Sequence, residues 1–210
     1  ASTLPVTLDH MAYHSAAVAR GLRRALLIVD LPFMSYASPA RAYDAAARLM
    51  GEGGAAVLKL EGAGPTCEVI ARLAERDVPV CAHIGLTPQS VHKLGGYRVQ
   101  GKGEAEAERL LADAHAVVTA GADLLVLEAV PAVLAAHITA EIPIPTIGIG
   151  AGVDCDGQVL VLYDLLGITP GKRPRFSKDF LAGRDSIAAA LAAYVAAVRA
   201  REFPAAEHAF

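Results

Sequence analysis

Three cysteines, Cys67, Cys81 and Cys155, are too few and too irregularly spaced for a disulfide framework, and no CxxC pair is present. The scarcity fits a reduced, cytoplasmic protein, in which Cys81 within VPVCAH (78–83) reads most simply as a small buried hydrophobe. No basic cluster exceeds the scattered GKRPRFSK (171–178), and the net charge is −3, so nucleic acid and anionic membrane are poor partners. No apolar run approaches the roughly 18 residues of a membrane span, and the charged-then-apolar layout of a signal peptide is missing at the front. No Cys/His set has zinc spacing. No GxGxxG follows the first apolar run, which weakens a dinucleotide-binding reading. There is no internal repeat and no low-complexity segment beyond a richness in alanine, which suggests closely packed helices.

What the chain does have is an alternation. Hydrophobic residues make up 54% of its 210 positions, ample for one sizeable core. Six short apolar runs stand out: ALLIVD (25–30), AVLKLE (56–61), VPVCAH (78–83), LLVLE (124–128), PTIGIG (145–150) and VLVLYD (159–164). Between most of them lie stretches of helical spacing. A helix is expected over 8–22. Ser38-Pro39 makes an N-cap and first turn for another reaching Met50, with Gly51 to end it. Further helices are expected over 65–76, 103–120, from Pro131 to about Glu141, and over Asp185–Arg201. Strands with continuous hydrophobicity, alternating with helices, predict a parallel sheet covered by helices.

An open doubly wound sheet and a closed (β/α)8 barrel compete for this pattern. Asp30, Glu61, His83, Glu128 and Asp164 each end an apolar run, so several strands deliver a polar group at their C-terminal ends. Barrel enzymes build their sites at that face from many strands, whereas an open sheet concentrates its site at a switch point. The expectation is therefore an α/β protein, a (β/α)8 TIM barrel, although six strands are visible and not eight. Nothing before residue 24 reads as a strand, so either the barrel is atypical or about two strands are missing at the front.

Each polar residue has a plain structural reading. Lys59 and Glu61 share a face of their strand and could pair with each other. Asp30 could cap the loop before Pro32, His83 could be a satisfied core histidine, and Glu128 could cap the next helix. Asp164 could be structural. GIGAG (148–152) could bind an anion through its backbone or permit close packing. Taken jointly, Asp30 and Glu61 offer hard oxygen ligands of the kind that hold magnesium together with water and substrate oxygens. Such a metal could chelate a 2-oxo acid and acidify the adjacent C–H. Lys59 would balance the enolate charge and Glu128 would take the proton. The class suggested is carbon–carbon bond formation or cleavage through a metal-bound enolate.

Seven blocks in order resemble the ketopantoate hydroxymethyltransferase family: STLPVTLDHMAYH (2–14), VDLPFMSY (29–36), VLKLEG (57–62), AHIGLTPQSVHKLGGYRVQGKG (82–103), LLVLEAVP (124–131), IPTIGIGAGVDCDGQVLVLYDLLGI (144–168) and FPAAEHAF (203–210). The resemblance implies a (β/α)8 barrel of the phosphoenolpyruvate-using superfamily, with 1–210 a single barrel domain that shows strands 3 to 8. It implies a cytoplasmic homo-oligomer, usually a decamer, of pantothenate biosynthesis. The reaction it implies transfers a hydroxymethyl group from 5,10-methylenetetrahydrofolate to 3-methyl-2-oxobutanoate through a Mg-bound enolate, giving 2-dehydropantoate. By the same likeness Asp30 and Glu61 hold Mg2+, Asp30 and Lys59 contact the oxo acid, and Glu128 accepts the proton. Lys59 and His83 complete the catalytic set. Family members carry a further Asp-Ser pair ahead of STLPVT, on strands that these residues do not include. A related Mg-dependent lyase or mutase acting on a 2-oxo acid, or an inactive truncated scaffold, are the competing readings. Glycine-rich GGYRVQGKG (95–103) is a candidate lid.

Overall fold

A computed structural model describes residues 2–210. Its order is α1 (Leu8–Gly21), β1 (Ile28–Asp30), α2 (Pro39–Gly51), β2 (Val57–Glu61), α3 (Pro65–Ala74), β3 (Val80–Gly85), α4 (Val91–Leu94), α5 (Glu104–Thr119), β4 (Leu124–Glu128), α6 (Ala132–Glu141), β5 (Thr146–Ile149), β6 (Gly157–Gln158), α7 (Leu162–Leu165) and α8 (Ile187–Arg199). Single 3₁₀ turns stand at Pro88–Ser90 and Ala206–His208.

Short polar residues start the helices where the sequence places them. The Ser38 hydroxyl accepts from the Arg41 N–H at 3.5 Å, with Pro39 in the first turn of α2. Thr7 and His10 cap α1 reciprocally, each backbone N–H donating 3.2 Å to the other's side chain. His10 is therefore a capping residue, and its spacing from His14 needs no other explanation.

All six strands are parallel, and their order across the sheet is their order in the chain. A doubly wound sheet reverses direction at a switch point; this one never does. It curls one way, as a partial (β/α)8 barrel with the helices outside. Val29, Leu58, Leu60, Ala82, Leu125 and Leu127 point outward into the main core, against alanine-rich helix faces such as Ala42, Ala45 and Ala46. Their strand neighbours Val57, Cys81, Val126 and Ile149 form a separate cluster on the concave face. A strand alternates its side chains between faces. Lys59 and Glu61 therefore follow Val57 inward, as His83 follows Cys81 and Glu128 follows Val126.

The sixth strand departs from expectation. Residues 159–161 leave the sheet after Gly157–Gln158, and Leu162–Leu165 is a short helix, so Asp164 does not end a strand. It lies buried and accepts a hydrogen bond from the Thr169 hydroxyl. Of this apolar run, Leu160 joins a satellite core, in which it and Leu165 meet Phe180 and Phe203, while Val159, Val161, Leu162 and Tyr163 are exposed. An apolar run of this length does not by itself specify a buried strand.

GIGAG resolves in favour of close packing. A Cβ on Gly150 would come 2.8 Å from the Phe176 ring, and one on Gly152 would come 2.6 Å from Ala132 Cβ. Both glycines have positive φ, 63° and 81°, so this turn requires their freedom as well as their small size.

Candidate active site

The sheet brings five polar residues into one cavity of about 470 Å³: Asp30, Lys59, Glu61, His83 and Glu128 all line it. The ladder sets their heights. Asp30 is level with Lys59, Glu61 with His83, and Glu128 with Gly85. Asp30, Glu61 and Glu128 end their strands, whereas His83 stands two residues short of the end of β3, level with Glu61 and deeper than Glu128.

Lys59 is the hub. Its Nζ donates to Asp30 Oδ1 at 2.8 Å and lies 3.2 Å from His83 Nδ1. The structural pairing of Lys59 with Glu61 does not form; the long side chain turns to the neighbouring strands instead. Burial works against the ammonium charge, but Asp30 and Glu61 outweigh it and hold Lys59 above its ordinary range. Lys59 is thus a donor to Nδ1, which leaves the imidazole proton on Nε2. Burial and the Lys59 charge push His83 well below its usual value, so it stays neutral.

His83 Nε2 lies 3.2 Å from Glu128 Oε2, yet the alignment is too poor for a hydrogen bond. Among the described residues it is a buried polar nitrogen with no partner, aimed into the cavity. Such atoms are rare in native interiors and point to a group bound there. His83 is therefore not the satisfied core histidine of the plain reading. Nor does Glu128 cap α6, whose N-cap is Pro131 without a side-chain bond.

Burial pushes the Glu128 carboxyl up to about 7, against the lowering effect of Lys59 and with a further rise from Asp30. Glu61 is also pushed up to about 7, chiefly by burial, while Lys59 and a hydrogen bond from the Gln89 N–H pull it down and Asp30 and Glu128 raise it. Burial pushes the Cys81 thiol up to about 12, which removes it as a nucleophile at neutral pH.

No group of three or more His, Cys, Asp or Glu among the described residues is arranged to hold a metal by itself. Magnesium does not require one, since one or two carboxylates with water and substrate oxygens suffice. The donor chemistry fits. Three carboxylates face one ammonium and a neutral imidazole, so the fully ionised site carries two surplus negative charges. A divalent cation would offset both and relieve the mutual repulsion that helps raise Glu61.

Backbone geometry fixes Glu128. Ala129, directly after it, has φ 49°, a left-handed conformation costly for a side-chain-bearing residue. Opposite it, Gly85 has φ 92°, and a Cβ there would lie 2.3 Å from the Glu128 carbonyl oxygen. Gly85→Ala is expected to cost about 2–3 kcal/mol through this clash and strain. That is a drop of roughly 5–10 °C in the melting midpoint. Turnover should fall more than stability requires, because the backbone that must move is that of Glu128. A midpoint and kcat both close to wild type would contradict the role given to Gly85.

Two residues at this site carry no periodic signal and were not singled out by sequence reasoning. Gln89 donates its N–H to Glu61 Oε2 at 2.8 Å and its side-chain Nε2 to the Leu31 carbonyl at 2.9 Å. Tyr36 donates its hydroxyl to Gln89 Oε1 at 2.7 Å. The available signal was GLTPQS as a specific block, without a role for its residues. The far end of the glycine-rich loop is tied down beside Glu128, with Gln100 N–H donating 2.9 Å to the Ala129 carbonyl. A second, smaller cavity of about 180 Å³, between Gly85, Gly101 and Arg109, contains none of the five polar groups.

The ketopantoate hydroxymethyltransferase family model matches residues 1–206. A protein of Burkholderia mallei (strain SAVP1) named 3-methyl-2-oxobutanoate hydroxymethyltransferase is 60% identical over all 210 residues, which span 77% of its own length. Among solved structures, a candidate lyase/mutase from Burkholderia cenocepacia J2315 superposes with a TM-score of 0.52 at 20% identity, covering 95% of this chain and 69% of that one. A candidate phosphonomutase from the same organism gives 0.53 at 21% identity, covering 68% and 62%. At such identities these two likenesses speak to the fold alone.

Proposed function

The chain belongs to the ketopantoate hydroxymethyltransferase family, and from that premise we propose how its residues carry out the transfer. The proposed acceptor is 3-methyl-2-oxobutanoate, the donor 5,10-methylenetetrahydrofolate, the product 2-dehydropantoate and the metal Mg2+. The observation that carries this reading is the convergence of Asp30, Lys59, Glu61, His83 and Glu128 in one cavity, under apolar walls that include Val126 and Ile149.

Asp30 and Glu61 would hold the magnesium ion, whose charge polarises the 2-oxo group and acidifies the C3–H bond when it is bound. Lys59 binds the oxo acid and offsets the negative charge that develops on its oxygen. Val126 and Ile149 receive the branched alkyl end and keep water from it. Glu128 accepts the C3 proton on its carboxylate, and a base whose value stands near 7 is well matched to that task at neutral pH. His83 stays neutral and keeps its proton on Nε2, which it presents to the cavity beside Glu128. C3 then bonds to the methylene carbon, both C–N bonds of the donor break, and water supplies the hydroxyl oxygen. The proton taken from C3 and the two hydrogens of water end on the new hydroxyl and on the two donor nitrogens.

The free thiols Cys67, Cys81 and Cys155 suit a reducing cytoplasm as the place of action. No helix among the described residues is long and apolar enough to cross a membrane. We read residues 1–210 as six of the eight βα units of one barrel domain, in a homo-oligomer. The test is product formation followed by mass spectrometry. The hydroxymethylated acid should form only with both the oxo acid and the folate donor present, should vanish with a chelator and should return with Mg2+. Turnover of the oxo acid that persists without the donor would overturn the assignment in favour of a lyase or mutase.

A further inference from the structure

GLTPQS (85–90) includes a residue the proposed chemistry leaves unused. Gln89 sits in the 3₁₀ turn after β3 and touches both the end of β2 and the loop after β1. Its N–H holds Glu61 Oε2 at 2.8 Å, at the end of β2. Its side-chain amide reaches across to the Leu31 carbonyl at 2.9 Å, one residue beyond Asp30 at the end of β1. The orientation of the amide is unambiguous, because a carbonyl can only accept, so the nitrogen must face Leu31 and the oxygen Tyr36. Tyr36, on the loop after β1, closes the ring of contacts by donating to that oxygen at 2.7 Å. Burial and the nearby Glu61 charge raise the phenol's value, so it remains a donor.

Asp30 and Glu61 stand on adjacent strands, and Lys59 holds Asp30 Oδ1 at 2.8 Å but does not pair with Glu61. β1 ends at Asp30; the Leu31 N–H still donates to the Lys59 carbonyl at 2.9 Å, and the Leu31 carbonyl is the one Gln89 takes. We propose that Gln89 is a positioning residue that, with Lys59, sets the Asp30–Glu61 separation, its backbone gripping one carboxylate and its side chain gripping the residue that follows the other. Its amide thereby governs the affinity of the site for a divalent cation. This rests on the reading of Asp30 and Glu61 as the metal carboxylates. Outer partners that orient metal ligands typically contribute about 10–100-fold in affinity.

The side chain can be removed while the N–H to Glu61 stays. Gln89→Ala loses the grip on Leu31 and leaves a partly buried carbonyl and a phenol without partners. Gln89→Glu keeps the shape but sets an acceptor against the Leu31 carbonyl. Tyr36→Phe removes a single bond and keeps the Leu31 contact. The probe is Mn2+, titrated without substrate and followed by electron paramagnetic resonance, with circular dichroism to confirm the fold. Affinity should fall about tenfold in Gln89→Ala and in Gln89→Glu, and about two- to threefold in Tyr36→Phe. In turnover assays the loss should lie in the concentration of Mg2+ required, with kcat at saturating Mg2+ within about twofold of wild type, which a general packing defect would not produce. If Gln89→Ala fails to fold, Gln89→Glu and Tyr36→Phe carry the test. Wild-type Mn2+ affinity in folded variants overturns this inference alone. No Mn2+ binding by the wild-type protein overturns the metal reading and this inference with it.

Discussion

Glu128→Gln should all but stop removal of the C3 proton, with a loss of about 10³-fold in exchange and in product formation. The amide has the size of the acid and can still face His83, so folding and binding of the oxo acid should change little. The loss should therefore fall on kcat and leave KM nearly untouched. The pH profile gives a second signature. Burial holds this carboxyl up to about 7, and its carboxylate form is the base. In the free enzyme kcat/KM should thus rise with pH and level off above about 7, with Glu61, also held up to about 7, contributing to the same limb. His83 does not compete for this limb, because burial and Lys59 keep it neutral across the same range. A Glu128→Gln enzyme with a wild-type exchange rate would remove Glu128 from the chemistry.

Lys59→Met should be nearly as damaging, with kcat reduced about 10²–10³-fold and a raised KM for the oxo acid. Lys59 bonds Asp30 at 2.8 Å and stands 3.2 Å from His83 Nδ1, so its loss leaves three carboxylates with no protein cation beside them. The direction of the pH shift separates this from simple loss of a contact. Lys59 lowers both Glu61 and Glu128. In Lys59→Met the rising limb should therefore move above 7, and the residual activity should recover in part at alkaline pH. His83 shifts the same way, since the charge that holds it down is gone. Lys59→Arg should not rescue, because a planar guanidinium cannot reproduce the point donor that meets both Asp30 and His83. A limb that stays near 7 in Lys59→Met would contradict the electrostatic coupling.

Much of this was legible in the sequence, for reasons that particular residues make plain. Val57, Lys59 and Glu61 share the two-residue period of a strand, so a charged pair following an apolar residue announces a face that is buried and reactive. The ends of the other apolar runs gave Asp30, His83 and Glu128 in the same way. Polar ends on several strands also favour a barrel, and the sheet, in which each strand pairs with the next in the chain, agrees. Legibility failed where no period exists. Gln89 and Tyr36 lie in loops 53 residues apart, and their hydrogen bond is visible only once β1 and β3 flank β2. VLVLYD failed for a different reason. Leu160 enters the small core around Phe180 while its apolar neighbours stay exposed, and composition alone does not distinguish such a segment from a strand.

The measurement that bears most directly on the central claim is exchange of the C3 proton of 3-methyl-2-oxobutanoate in heavy water, followed by NMR with the folate donor left out. Proton removal is then seen without carbon–carbon bond formation. The expected result is loss of the C3 signal at a rate that depends on Mg2+, is abolished by a chelator, and falls about 10³-fold in Glu128→Gln. A folded wild-type protein that binds the oxo acid and Mg2+ but exchanges no C3 proton would contradict the assignment of the site.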